Sequence, residues 1–488
     1  LESVMAEFKL SNNTLRRMMT HMSDNMDRGL EGGLEASTIA MLPSFVPELP
    51  DGTERGKFVA MDLGGTNLRV MIMEIEPGEE MRTKQFNTRI SNAAMHGTGE
   101  QLFDYIAKAL ADFLIEKELA NDNLPVGFTF SYPCDQTSLR SAKLLRKARL
   151  DIHPGSINWY QIRLGGIKVE VVALINDTVG TMVAAAYETR GECDLGVIIG
   201  TGTNASYMES TKAILYGLQN ATVEYPHEEM IIDTEWGGFG DRGEAEYIFT
   251  QYDKIVDERS DHPGVNSLDK LVAGMCMGEI VRLVLEKLCT HKVLFGGNGS
   301  KMLYTIGSFP TKYISEILHD DCGSYANTRQ IMDELGVDDY TFSDMLLFRE
   351  VCLVVSRRSA YLSAADIHSL ISTILNEVKR AVHPSRTDQR QAPCLQFSSV
   401  VFHSLLGFLL CEIQSSFSIC FCLQFKIVQT GDGSGKGAAL IAAIVTRVKM
   451  REEKRKKDEE ARLAREAALL EKERQMELER QRRLAEER

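Results

Sequence analysis

Apolar residues recur at three-to-four spacing near the start of the chain, at Leu10, Leu15, Met18, Met19, Met22, Met26 and Leu30. The spacing predicts an amphipathic helix that ends near Gly32-Gly33 and turns a methionine stripe to a core. Pro43, Pro47 and Pro50 predict an extended connector, after which Phe58-Val59-Ala60-Met61 reads as the first strand of a domain. Val126 to Tyr132 and Val169 to Ile175 are further strand candidates. Val179 to Tyr187, 268 to 290 and about 346 to 380 read as helices. From 449 onward the last 40 residues hold 14 basic and 12 acidic side chains with no Gly or Pro, which predicts one long helix. Glu452/Lys456, Glu453/Lys457, Asp458/Arg462 and Glu479/Arg483 support it at ~0.2–0.5 kcal/mol each. Leu463 and Leu470 are followed at the next heptad step by Glu477, so a solvated helix is favoured over a coiled coil, with a protein partner for 449–488 as the other option.

Composition narrows the class. The 488 residues carry a formal charge of −14, which disfavours nucleic acid and anionic membranes as partners. A 44% hydrophobic and 25% charged chain is ordinary globular composition, enough for roughly two or three domains. The opening LESVMAEFKLSNNT has no basic segment followed by an apolar one, so no secretory leader is expected, and most cysteines read as reduced thiols of a cytoplasmic protein. Residues 386–425 break the style of the rest, with six of the 20 Phe and four of the ten Cys. No membrane span is expected there, because Glu412, His403, Gln414 and six serines interrupt the apolar run.

Candidate chemistry clusters at strand ends. Asp62-Leu-Gly-Gly-Thr-Asn67 puts two glycines after a strand, where backbone N–H groups can approach an anion and the acid can face a hydrated metal ion. The alternative is a hairpin turn into Leu68 to Met73. Gly200-Thr-Gly-Thr-Asn204 repeats the design. Gly431-Asp-Gly-Ser-Gly-Lys-Gly437 offers a third loop, leading into an apolar helix Ala438 to Val445. Three such loops suit one polyphosphate, yet Thr430 and Gly437 stand where a Walker A loop needs Gly and Ser/Thr. Asp177, at the end of an apolar strand, suits a general base or equally a helix N-cap. Glu235, with Trp236 beside it, and Glu279 are carboxylates able to accept paired hydroxyl hydrogen bonds from a sugar; singly, each is also an ordinary surface or capping acid.

Taken together and in order, VAMDLGGTNLRV, GFTFSYP, NDTVGTM, IIGTGTNASYME, TEWGGFGD, DERSDHPG, LVAGMCMGEIVRLVL, VSRRSAYLSAA and GDGSGKGAAL resemble the hexokinase family over about 10 to 380 and 427 to 448. Each motif occurs once, so a single unit is expected. The resemblance implies an α/β, two-lobed actin-like ATPase (ribonuclease H-like) sugar kinase fold, here with a C-terminal charged helical extension. It implies ATP-dependent phosphorylation of a hexose, glucose first, at the 6-hydroxyl, with Asp177 as catalytic base. By the same resemblance Ser131, Asn176, Asn204, Glu235, Glu279 and Arg149 fall on sugar-binding positions. Asp62, Gly64, Gly65, Thr66, Asn67, Arg69, Gly200, Thr201, Gly202, Thr203, Asp432, Gly433, Ser434, Gly435 and Lys436 fall near ATP, with Asp62 facing Mg²⁺ through water.

The implied organisation is an N-terminal helix and connector (1–56), a small lobe beginning at 57–178, a large lobe (179–430) with the atypical insert 386–425, a helix returning to the small lobe (431–448) and the charged tail (449–488). Two departures stand out. Lys147-Ala148-Arg149 occupies the place of a family Trp-Thr-Lys triplet, and Asn376 to Val382 runs on where the family carries a phosphate-contacting Gly-Val-Asp-Gly-Ser motif. They motivate the alternative of a non-catalytic sugar- or nucleotide-binding protein or scaffold.

Overall fold

A computed structural model describes residues 1–64, 67–95, 98–144, 156–158, 169–191, 193–221, 225–321, 323–381, 394–399, 426–429 and 433–486. Two mixed sheets each form the centre of one lobe. In the smaller lobe the strand Gly56–Gly64 returns as Asn67–Ile75 and pairs in parallel with Pro125–Phe130, which pairs in parallel with Glu170–Ile175. The helix Gly99–Glu116 covers one face of this sheet with Leu102, Ile106, Leu110, Phe113 and Leu114, all buried. In the larger lobe Leu195–Ile199 lies between antiparallel Thr203–Ser210 and parallel Cys394–Ser399, with Glu229–Asp233 and Lys426–Gln429 outside them.

The strand directions converge on one cleft. Asp62, Ser131 and Asp177 stand at the carboxyl ends of three parallel strands, while Gly200 and Asp233 stand at the ends of two strands of the other sheet. Carboxyl ends of parallel strands are where open α/β sheets bind ligands. The helix Asp177–Glu188 connects the sheets, and Asn176 caps it by accepting from the Thr178 amide at 2.9 Å.

The methionine stripe is core: Met18, Met22 and Met26 are buried on the helix Asn12–Ala36, whose helical geometry breaks at Gly33. Other boundaries differ from the sequence reading. Residues 268–290 form two helices, Ser267–Val272 and Gly274–Thr290, because Ala273 is extended. The Gly274 and Met275 amides freed by that break donate to the Gly200 and Thr201 carbonyls at 2.8 and 3.2 Å, so the interruption ties this helix pair to the glycine loop. The expected loop before Ala438 is also shorter: Gly433 already begins the helix Gly433–Glu486, which continues without interruption through the charged tail. Its apolar start, Ala438 to Val445, is buried, and from Met450 through Leu478 its side chains are exposed. Glycines let it approach its neighbours. A Cβ on Gly437 would lie 1.9 Å from the Gly180 carbonyl oxygen, and one on Gly127 1.9 Å from that of Ala438.

Arg447 anchors this helix to the 48–54 connector through Glu48, Asp51 and Glu54. Of the atypical insert, only the backbone of Cys394–Ser399 is described, as a strand; the rest of 386–425 lies outside the described residues. Among those, no helix is long and apolar enough to cross a membrane.

Candidate active site

Asn204 organises the site. Its Oδ1 accepts from the Ala205 amide at 2.8 Å, the Glu235 amide at 2.9 Å and Thr234 Oγ1 at 3.2 Å. Three donors on one atom fix the amide's orientation and point Nδ2 at two carboxyls, Asp233 Oδ1 at 2.7 Å and Glu235 Oε1 at 3.0 Å. Asn176 Nδ2 donates to the same Glu235 oxygen at 3.1 Å. Glu235 itself sits in the left-handed region with φ of 53°, a conformation costly for a non-glycine residue and held here by the amide bonds around it. Trp236 is buried beneath, its indole N–H donating to Thr203 Oγ1 at 3.1 Å.

Asp177 lies at the first turn of its helix beside this cluster. Burial pushes its carboxyl up to about 6, the like charge of Asp62 adds to the rise, and the hydrogen bond from Ser131 opposes it. Burial likewise raises Asp233 to about 7 and Glu235 well above its ordinary value, with Asp233, Asp177 and Asp269 adding like charge around Glu235. Burial and the carboxylates Glu235, Asp233 and Asp135 push the Cys134 thiol up. A concentration of acids in one cleft, strained backbone included, is the physical signature of a functional site.

The opposite side of the cleft is assembled from three elements. Ser434, in the first turn of the long helix, donates from Oγ to Asp62 Oδ2 at 2.9 Å. Arg69 stands directly opposite Asp62 in the strand register, and Asn67 opposite Gly64. The Gly200–Thr203 turn is clamped from below: Asp269 Oδ1 accepts from the Thr203 amide at 2.7 Å, and burial raises Asp269 to about 7. Gly202 and Gly237 both lie against that carboxyl, where a Cβ would come within 3.3 and 2.7 Å of its oxygens. Gly433, Gly435 and Lys436 belong to the same helix start, with Lys436 3.7 Å from Glu188. The helix N-terminus and the open backbone at Gly64 suit an anion, and the hard oxygen of Asp62 suits Mg²⁺.

Asn176, Asp177, Asn204 and Glu235 are thus joined by hydrogen bonds or like-charge contact, with Ser131 bonded to Asp177. Glu279 makes different contacts: it is held by Arg282, whose Nε and Nη2 reach it at 2.9 and 2.8 Å, and by the Gly307 amide at 3.0 Å. Gly65, Thr66, Arg149 and Asp432 lie outside the described residues. Sequence reading overlooked Asp233, Thr178, Asp269 and Arg282. Asp233 was signalled by its place at a strand end two residues before Glu235, whereas nothing in the periodicity of the helix Ser267–Val272 shows that the Asp269 carboxyl reaches back to the Thr203 amide.

Two hexokinase family profiles match residues 1–187 and 194–444. The chain is 63% identical over 462 residues to the hexokinase of Brugia malayi, covering 93% of this chain and 78% of that one. It is 36% identical to hexokinase-1 of Bos taurus, of which it spans 48%. Among solved structures, a hexokinase from Schistosoma mansoni complexed with glucose superposes with a TM-score of 0.78 at 32% identity, covering 90% of this chain and 97% of that one.

Proposed function

The chain belongs to the hexokinase family, and we propose that it transfers the γ-phosphoryl group of ATP to the 6-hydroxyl of a hexose, glucose first, with Asp177 as general base. The observation that carries the reading is Asp177 itself. A carboxyl raised to about 6 is ionised near neutrality yet more basic than an exposed aspartate, which suits a group that takes a proton from an attacking hydroxyl. Ser131 orients it. Asn176, Asn204 and Glu235 present an amide-fixed array for sugar hydroxyls, and the glucose bound by the Schistosoma enzyme supports a hexose as the ligand.

On the other side of the cleft Asp62, Ser434, Lys436, the Gly200–Thr203 turn and the start of the long helix would receive the nucleotide phosphates. Asp62 would hold Mg²⁺ through water, and the ion would neutralise charge on the transferring phosphoryl group. The two sheets belong to separate lobes joined by the Asp177 helix, so closure would bring Asp62 and Glu235 around the reacting atoms and exclude water as a competing acceptor.

The test is glucose-dependent ADP release by the purified chain, compared with Asp177→Ala. Glucose binding without turnover in the folded wild-type protein would favour the non-catalytic reading, which the altered 147–149 triplet motivates.

A further inference from the structure

We propose that Asp233 and Glu235 hold a single proton between them, and that this proton keeps the carboxyl cluster in the singly charged state that accepts the hexose. The inference rests on reading this cluster as the sugar site. Its basis is geometric. Two carboxyl oxygens from residues two apart converge on one amide nitrogen, Asn204 Nδ2, at 2.7 and 3.0 Å, and Asn204 cannot turn away because its Oδ1 has three donors of its own. The remaining partners are also neutral: Thr178 Oγ1 reaches Asp233 Oδ1 at 3.4 Å and Asn176 Nδ2 reaches Glu235 Oε1 at 3.1 Å. Among the described residues no lysine or arginine donates to either carboxyl.

The charged surroundings are predominantly acidic, and Lys270, beside Asp269, is itself paired with Asp257. The connecting helix contributes Asp177, with Asp62 facing it from the first strand; the helix Ser267–Val272 contributes Asp269, beside Lys270 and Asp241; the short strand Cys134–Ser138 contributes the thiol of Cys134. Two ionised carboxylates in contact, with Asp233 buried and two more acids flanking them, repel one another, so one of them retains a proton and the pair titrates as a unit. Both donors to Asp233 fall on Oδ1, which leaves Oδ2 for the shared proton. With the proton in place Glu235 Oε1 keeps its two amide donors and the array that meets the sugar stays fixed. Losing it places a second charge beside Glu235 and drives the two side chains apart.

Asp233→Asn separates these roles, since its amide oxygen still accepts from Asn204 while its NH₂ supplies a permanent donor in place of the titratable one. In a coupled assay, KM for glucose of the wild-type protein is expected to rise by about threefold or more between about pH 7 and about pH 9, while that of Asp233→Asn changes by less than about 1.5-fold, whatever its absolute rate. The same rise in both proteins, or a flat wild-type profile, would overturn the inference and leave the kinase reading intact. Absence of both glucose binding and turnover would instead remove the sugar reading. The proton is tested without sugar by infrared difference spectra of wild type against Asp233→Asn: a protonated-carboxyl carbonyl band at neutral pH that vanishes on alkalisation is expected, and its absence would overturn the shared proton directly.

Discussion

Ser434 and Asp62 are joined by a hydrogen bond of 2.9 Å although 372 residues separate them. The bond fastens the start of the long C-terminal helix to the end of the first strand, at the point where both meet the cleft. Ser434→Ala removes one neutral donor from an ionised acceptor, an interaction in the range of about 1.5–3 kcal/mol. Part of that is recovered by water at this half-buried position. We expect kcat/KM for ATP to fall roughly tenfold, with glucose affinity unchanged, measured by initial rates against each substrate in turn.

As the proposed base, Asp177 is expected to give the pH profile an acid limb. Its carboxyl must be ionised to take a proton, and with its titration near 6 the rate should fall as pH drops through that value and level off above it. A kcat profile that stays flat down to about pH 4.5 would mean that a base with an ordinary carboxylate titration does the work.

The same raised carboxyl has the opposite effect on stability. The folded state binds this proton more tightly than the unfolded chain, so the group's contribution is most favourable below the ordinary aspartate range and is lost as pH rises through about 6. Asp177→Asn should therefore melt higher than wild type near pH 8, by an amount equivalent to about 1–2 kcal/mol, and the gap should close below about pH 4. Scanning calorimetry at the two pH values checks the sign.

Gly437→Ala is expected to destabilise despite improving helix propensity. The propensity gain is about 1 kcal/mol at most. A methyl carbon 1.9 Å from the Gly180 carbonyl forces two backbones apart, and overpacking of this kind costs about 1–3 kcal/mol or more. The clash wins, and since Gly180 lies one turn from Asp177, thermal unfolding and kcat should fall together.

Arg282 is the residue on which Glu279 depends. It is 1% exposed, holds Glu279 through Nε and Nη2, and reaches Glu286 at 2.6 Å and the Leu303 carbonyl at 3.0 Å. Removing one partner of a buried pair typically costs about 3–5 kcal/mol. Arg282→Met should lower the melting temperature strongly and, where the protein remains folded, raise KM for glucose with a smaller change in kcat. An unchanged KM in folded Arg282→Met would argue that Glu279 does not meet the sugar.

The glycine turns and the acids at strand ends were legible because each depends on a local pattern: an apolar run, a turn residue, a carboxylate. Asp62, Asn176, Asp177, Asn204 and Glu235 all follow such runs. What escaped was what depends on contacts between distant segments. Nothing periodic marks Ala273 as extended, because its reason is the Gly200 and Thr201 carbonyls seventy residues earlier in the chain. The long helix begins earlier than the sequence predicts, because Gly433, Gly435 and Gly437 read as a loop. Their packing against the Asp177 helix, shown by the Gly437–Gly180 contact, favours a helix of small residues there. Asp233 went unremarked because only the orientation of Asn204 shows that it shares an amide with Glu235.

The most direct test of the account is a coupled assay of the purified chain with glucose and MgATP, run beside Asp177→Ala. The account predicts glucose-dependent ADP release by the wild-type protein and a loss of about 10²–10⁴-fold in kcat in the variant, with glucose binding retained. Equal turnover in the two proteins would contradict it.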